Sequence, residues 1–351
     1  MSSLYKKSFI TDCEGPLTLN DNAFELANHF IDNGGELFKI LSLYDDYLVD
    51  EVKKPNYKAG NTLLLILPFF LVENIKNKDM IEFSRNNIFT VNESKFLLDY
   101  LKERMNTYIV STSYGQYIEA LANYMDFPFE NTFYTKVDVD ALNINDEEIS
   151  KIIEFKDQIL ENPKDYKLFD SIFFNEIPKM GFYNLIKEVD VIGGEGKKLA
   201  IDKIIDNDSI DINEILYIGD SITDVEPLRF ARDHDGISIS FNGNIYPLKE
   251  AEIAIISPSA ITTAVIANIY ADNDKKVVLD FINDYNDEDN LEELFEKYDI
   301  DYNVKEEFFK VFENHDKPII KIVNQENFDE ILEASTKMRN EIRGQDIGGL
   351  G

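Results

Sequence analysis

The sequence predicts an α/β fold: a Rossmann-like parallel sheet with a helical insertion after the first strand, a second helical insertion, and a helical C-terminal extension. Two observations predict it. Short apolar runs without alternation each end in a polar residue, as strands covered on both faces do. Stretches of helical periodicity lie between them, and alternation of strand and helix is the pattern of an open parallel sheet.

The first run is Ser8–Asp12 (SFITD). In the segment 21–92 that follows, Phe24, Ala27, Phe30 and Ile31 are spaced for a helix ended by Gly34–Gly35. Further helical stretches are broken by Pro55, Gly60 and Pro68. The run Leu63–Val72 (LLLILPFFLV) is too short to cross a bilayer, which takes ~20 residues, and reads as a buried helix or pocket wall. Aromatic and aliphatic residues from Phe24 to Phe70 are candidates to line a pocket.

Phe96, Leu97, Tyr100 and Leu101 make one apolar helix face before the second run, Thr107–Ser111. The segment 129–187 carries acidic helical sequence such as Asp146–Leu160. Leu199, Ile201, Ile204 and Ile205 form another helix face before Ile215–Asp220, and Ile237–Phe241 and Ile253–Ser257 are the last two runs. Beyond residue 272 the chain is acidic and mostly helical, as in Asn290–Tyr298 and Asn327–Arg343. It ends in the glycine-rich RGQDIGGLG, which is expected to be mobile. The expected division is a core of 1–20, 93–128 and 188–272, a helical cap of 21–92, a second insertion of 129–187 and an extension of 273–351.

Composition bounds the function. The 351 residues are 44% hydrophobic, with 25 Phe and 18 Tyr, enough for a large core. With 35 Lys and Arg against 67 Asp and Glu the net charge is −32, which argues against nucleic-acid backbones and anionic membrane surfaces as partners. A single cysteine, Cys13, excludes an intramolecular disulfide and a zinc site of several thiolates. MSSLYKKSFITD has no apolar run of signal-peptide length, so the expected location is the cytoplasm.

Four motifs carry chemistry. In Asp12-Cys13-Glu14-Gly15-Pro16, two carboxylates one residue apart leave a strand end and can converge on one point. Ser111-Thr112-Ser113 places hydroxyls where the second strand meets a helix, a position suited to phosphate or to simple N-capping. Gly193-Gly194-Glu195-Gly196-Lys197-Lys198 sets glycines before lysines at a helix start, without matching a P-loop. Gly219-Asp220-Ser221-Ile222-Thr223-Asp224 follows a strand, and paired carboxylates there suit a hard divalent cation or a helix cap. Asn242 and Asn244 in FNGN either reach a pocket or shape a turn, and His29, His234 and His315 are isolated.

The order DxE, strand-end Ser, Lys, GDxxxD resembles the haloacid dehalogenase-like (HAD) superfamily of phosphohydrolases over about half the chain. The insertion after the first motif, and GISISFNGNIYPLKEAEIAIIS after the last, resemble its phosphoserine phosphatase branch. The resemblance implies Asp12 as the nucleophile and Glu14 as acid and base. Ser111 would bond a phosphoryl oxygen and Lys197 would neutralise phosphate charge. Mg²⁺ would be held by Asp12, Asp220, Asp224 and the main-chain carbonyl of Glu14. Thr112, Ser113, Ser221 and Asn242 are further candidates for phosphate or substrate contacts, and Lys198 competes with Lys197. The family's usual second acid is Asp; Glu14 is longer by a methylene, and misplacement of ~1 Å can cost ~10²-fold in rate.

The implied function is Mg²⁺-dependent hydrolysis of a small phosphorylated metabolite through an aspartyl-phosphate. The competing expectation is an accessory or regulatory subunit on the same scaffold, with a protein partner at the C-terminal extension. The chain also resembles methanogen proteins labelled as energy-converting hydrogenase subunits, but no motif in it supports electron transfer.

Overall fold

Seven strands pair into one sheet: β1 (Ser8–Thr11), β2 (Asn106–Tyr114), β3 (Thr132–Thr135), β4 (Ile215–Gly219), β5 (Ile237–Phe241), β6 (Ile253–Ile256) and β7 (Ile319–Ile322). The computed structural model describes residues 5–288 and 290–349. The strand order is β3-β2-β1-β4-β5-β6-β7, parallel except for β7, which runs antiparallel to β6. The fold is α/β, with helices on both faces and helical insertions.

The five apolar runs all form strands, and β1, β4, β5 and β6 are fully buried. Side chains alternate between the faces. Phe9, Leu216, Ile218, Ile239 and Ile255 enter the larger core with the helices Ser94–Leu101 and Ile261–Asp272. Ile10, Val110, Ile215 and Tyr217 enter a smaller one with Ala200, Ile201 and Ile204 of the helix Glu195–Asp208. Leu199 does not belong to that face; it is exposed.

The structure corrects several expectations. The segment 129–187 contains β3, and the C-terminal extension contains β7. Both are four-residue strands at the sheet edges, too short to carry a pattern. Pro68 lies inside the helix Thr62–Val72 instead of breaking it, and that helix is almost wholly buried. Gly34 opens the helix Gly34–Asp46 rather than ending Asn22–Phe30; Asn33, in a left-handed conformation (φ 56°), makes the turn. β2 runs on to Tyr114, so the helix Gly115–Met125 begins three residues later than Ser111-Thr112-Ser113 implied.

The two insertions, expected as separate additions, bury their apolar faces in one cluster. Leu41, Tyr44, Leu67 and Phe70 meet Ile152, Ile159, Phe169 and Phe173 there. Phe24 and Phe70 are part of this interior, while Phe38 and Leu63 from the same stretch line a cavity at the strand ends. The glycine-rich end is not loose. The helix Phe328–Gly348 is kinked at Gly344 and docks across the carboxyl ends of the strands. Residues 350 and 351 of that motif lie outside the described residues. Among the described residues no helix is long and apolar enough to cross a membrane.

The C-terminal helix is anchored by a small cluster in which Ile331 packs with Leu248, Ala254 and Ile256. Truncation to alanine at a fully buried Ile costs about 2–5 kcal/mol. Ile331→Ala is therefore expected to destabilise the protein by about that amount in urea unfolding.

Candidate active site

In a sheet ordered this way the connections leave β1 and β4 on opposite faces, opening a crevice at their carboxyl ends. Asp12 follows β1 and Asp220 follows β4, so strands about two hundred residues apart in sequence deliver their terminal acids side by side. One oxygen of each of Asp12, Asp220 and Asp224 lies within 4.8 Å of the others, and all three residues are buried.

Lys197, in the first turn of its helix and fully buried, joins two of them. Its Nζ is 2.8 Å from Asp12 Oδ2 and 2.7 Å from Asp224 Oδ1. The neighbouring Lys198 points outward to Asp202. Burial pushes the Asp12 carboxyl up to about 7, against the pull of Lys197. The two carboxylates hold the Lys197 ammonium charged, above its ordinary range, despite burial.

Asp224 ends a short 3₁₀ turn, and both its oxygens are engaged. Oδ1 accepts from Lys197 and Tyr217, and Oδ2 from the backbone N–H of Asp220 and Ser221. The Ser221 hydroxyl also donates to Asp224 Oδ2 and lies 3.0 Å from the Thr223 hydroxyl. Asp12 accepts from the Cys13 amide through Oδ1. Gly15 lies against Asp220: a Cβ there would sit 2.2 Å from the Asp220 Cγ, and its φ of +106° is one that other residues rarely adopt. Carboxylate oxygens at this spacing fit a hard divalent cation. Asp224 is the most heavily hydrogen-bonded of the three, so the fit rests mainly on Asp12 and Asp220.

Glu14 does not point at Lys197. Its Oε1 accepts from the Asn22 N–H at 2.7 Å, at the start of the first cap helix, where Asp21 is the N-cap. Burial, and then the charge of Asp21, raise the Glu14 carboxyl well above the usual range. The longer acid thus bridges the loop after β1 and the first helix of the first insertion.

Asp12, Glu14 and Asp220 open onto a cavity of about 110 Å³ that the cap closes with Asp45, Asp46 and Thr62. Thr112, Ser113 and Ser221 line it; Ser111 does not, its buried hydroxyl instead accepting from the Ser113 N–H. A bulge between Val110 and Tyr114 breaks the side-chain alternation there and turns Thr112 and Ser113 inward. The Thr112 hydroxyl is buried without a hydrogen-bond partner. Asn242 does not line the cavity. Its amide donates to the Ser257 carbonyl and accepts from the Ser257 N–H, so it shapes the turn after β5. Cys13 packs in the core, and His29, His234 and His315 are exposed.

Sequence reasoning missed Asp21, Asp45, Asp46, Arg339 and Arg343, all of which line the cavity. The two arginines come from the C-terminal helix. Arg339 Nη1 bonds Asp220 Oδ2 and, at 3.2 Å, the Asp220 carbonyl. Arg343 Nη1 is 3.0 Å from the same Oδ2, and its Nε donates to the Leu19 carbonyl. The signal was Arg-x-x-x-Arg, one helical turn apart in an otherwise acidic tail.

No protein-family model and no curated protein matches the sequence. Among solved structures, the chain is similar to gene product AF1437 from Archaeoglobus fulgidus, at 28% identity and TM-score 0.80 over 99% of each chain. A substrate-bound phosphoserine phosphatase is similar at 15% identity and TM-score 0.48, over 72% of this chain and 94% of that one. A HAD family hydrolase from Salmonella enterica serovar Typhi is similar at 10% identity and TM-score 0.45, over 69% and 64%.

Removing one partner of a buried ion cluster costs about 3–5 kcal/mol. Lys197→Met is expected to lower stability by about that much in urea at neutral pH. The cap acids set a pH dependence: burial pushes Glu25 and Asp46 up to about 7 and Asp45 to about 6. A carboxyl raised on folding stabilises fully below its unfolded value, about 4, and loses that contribution as pH rises through the folded value. The thermal midpoint is expected to fall between about pH 5 and about pH 8, and Asp46→Asn to shrink the fall.

Proposed function

We propose that this protein is a phosphomonoester hydrolase of the HAD type that acts on a small phosphorylated metabolite with Mg²⁺. The observation that carries the reading is the fully buried Lys197 held between Asp12 and Asp224, with Asp220 alongside, at the crevice where β1 and β4 end. A scaffold without chemistry has no need of this cluster, since burying charges costs several kcal/mol per ion. That argues for the enzyme over the accessory subunit.

In this reading Asp12 attacks phosphorus, and the bond from phosphorus to the alcohol oxygen breaks. Glu14 gives that oxygen a proton; its raised carboxyl is suited to carry one at neutral pH. Water then attacks the aspartyl-phosphate as Glu14 takes its proton, releasing phosphate and restoring Asp12. Lys197 fixes the attacking carboxylate and offsets charge on the phosphoryl oxygens. The unpartnered Thr112 hydroxyl is the donor placed for one of those oxygens, with Ser113 beside it, in the role the sequence suggested for Ser111. Asp224 acts through Lys197. A divalent ion held by Asp12 and Asp220 would supply Lewis-acid neutralisation of the phosphoryl group.

The cap excludes water and selects the substrate. Its closeness is built in at Gly60, where φ is +89° and a Cβ would sit 2.7 Å from the Thr112 methyl.

With Mg²⁺, the purified protein is expected to release phosphate from an aryl phosphate and from members of a metabolite-phosphate panel. Asp12→Asn should reduce release by about 10³-fold or more, and Glu14→Gln by about 10²–10⁴-fold. No release by folded wild-type protein across the panel would sink the proposal.

A further inference from the structure

The C-terminal helix brings two cations to a carboxylate that the proposed function assigns to a metal. Arg339 and Arg343 sit one turn apart, on one face of the helix. Their side chains are 4% and 5% exposed, and both reach Asp220 Oδ2. The docking is over-determined. Ser335 bonds the Gly243 carbonyl after β5, Arg343 bonds the carbonyls of Leu19 and Asn20 ahead of the cap, and Ile347 packs on the cap's apolar cluster. The helix therefore spans core, crevice and cap, and holds its arginines over Asp220.

Among the described residues, Lys197, Arg339 and Arg343 bring three cations to Asp12, Asp220 and Asp224, and Glu14 and Asp21 line the same cavity. A divalent cation entering alone would stand next to two guanidinium groups on the carboxylate it needs. A phosphate dianion entering alone would stand next to the buried carboxylates. Entering together, each offsets the repulsion the other meets. In a buried site such repulsions are poorly screened.

We infer that Arg339 and Arg343 are positioning residues that act through Asp220, weakening its hold on a divalent cation in the absence of phosphate and coupling cation binding to phosphate binding. This rests on the metal-dependent reading above. It assigns the C-terminal extension a part in the active site: its arginines supply two of the three cations that draw an anionic group into a chain of net charge −32. It also accounts for the opposed demands on Asp220, whose Oδ2 is committed to the helix while the residue has an oxygen within 4.8 Å of those of Asp12 and Asp224.

The test is calorimetric titration of the full-length protein with Mg²⁺ alone, with inorganic phosphate alone, and with each in the presence of the other. Partners of metal ligands typically change metal affinity by 10–100-fold, so an effect of about tenfold is expected. Arg343→Gln and Arg339→Gln should each bind Mg²⁺ about tenfold more tightly and phosphate about tenfold more weakly, with less mutual enhancement. Arg343→Lys, which keeps the charge, should stay near wild type. Opposite shifts are the signature, because general loosening of the site would weaken both ligands together. Parallel losses, or unchanged affinities, overturn the inference and leave the metal reading standing. Failure of wild type and variants alike to bind any divalent ion overturns both.

Hydrogen exchange on the wild-type protein gives a measurement independent of the variants. Mg²⁺ alone should speed amide exchange across Phe328–Gly348, and added phosphate should slow it again. Exchange that ignores both ligands overturns the inference.

Discussion

The site depends on one buried ammonium group. Lys197 has no access to solvent, and its charge is maintained by Asp12 and Asp224 at hydrogen-bond distance. Taking such a group out of water is costly, and only good geometry with further hydrogen bonds recovers the cost. The structure supplies both. Asp224 is saturated by Lys197, Tyr217 and two backbone amides, so it cannot turn away. Asp12 is pinned by the Cys13 amide and by its own N–H on the Ile218 carbonyl. Everything else at the crevice is arranged around this fixed pair.

That arrangement reconciles a strongly acidic protein with the anionic substrate proposed for it. Local charge governs capture in a cleft, whatever the net charge of the surface. Three buried cations face the carboxylates here. One comes from the helix after the glycine-rich turn and two from the far end of the chain. The C-terminal extension, which composition alone would class as an acidic appendage, thus lies against the candidate site.

The cap is likewise continuous with the site. Glu14 accepts from the first amide of its first helix, so the acid assigned to proton transfer also bonds the element that closes the cavity. An aspartate, one methylene shorter, would have to move backbone to make the same bond. The extra length of Glu14 therefore has a local structural reason, and the two insertions, sharing one apolar cluster, hold that cap helix in place.

Short-range physics made much of this legible. Five runs of buried strand residues and the polar residues ending them specified five of the seven strands and put Asp12 and Asp220 at strand ends. The glycine-rich turn singled out Lys197 over Lys198, and packing buries Lys197 while Lys198 points outward. The bulge in β2, which moves Thr112 and Ser113 inward in place of Ser111, has no counterpart in the strand pattern, because alternation counted along β2 gives the wrong face. Asn242 was ambiguous until Ser257, fifteen residues away, used both ends of its amide. Arg339 and Arg343 carried only the spacing of one helical turn, since their meaning comes from a contact with Asp220 more than a hundred residues earlier. The sequence by itself determined which residues can bear charge and do chemistry, because that follows from side-chain type and local pattern. Which of them meet was decided only by the tertiary structure, because strand order, a bulge and a docked helix are set by packing between distant segments.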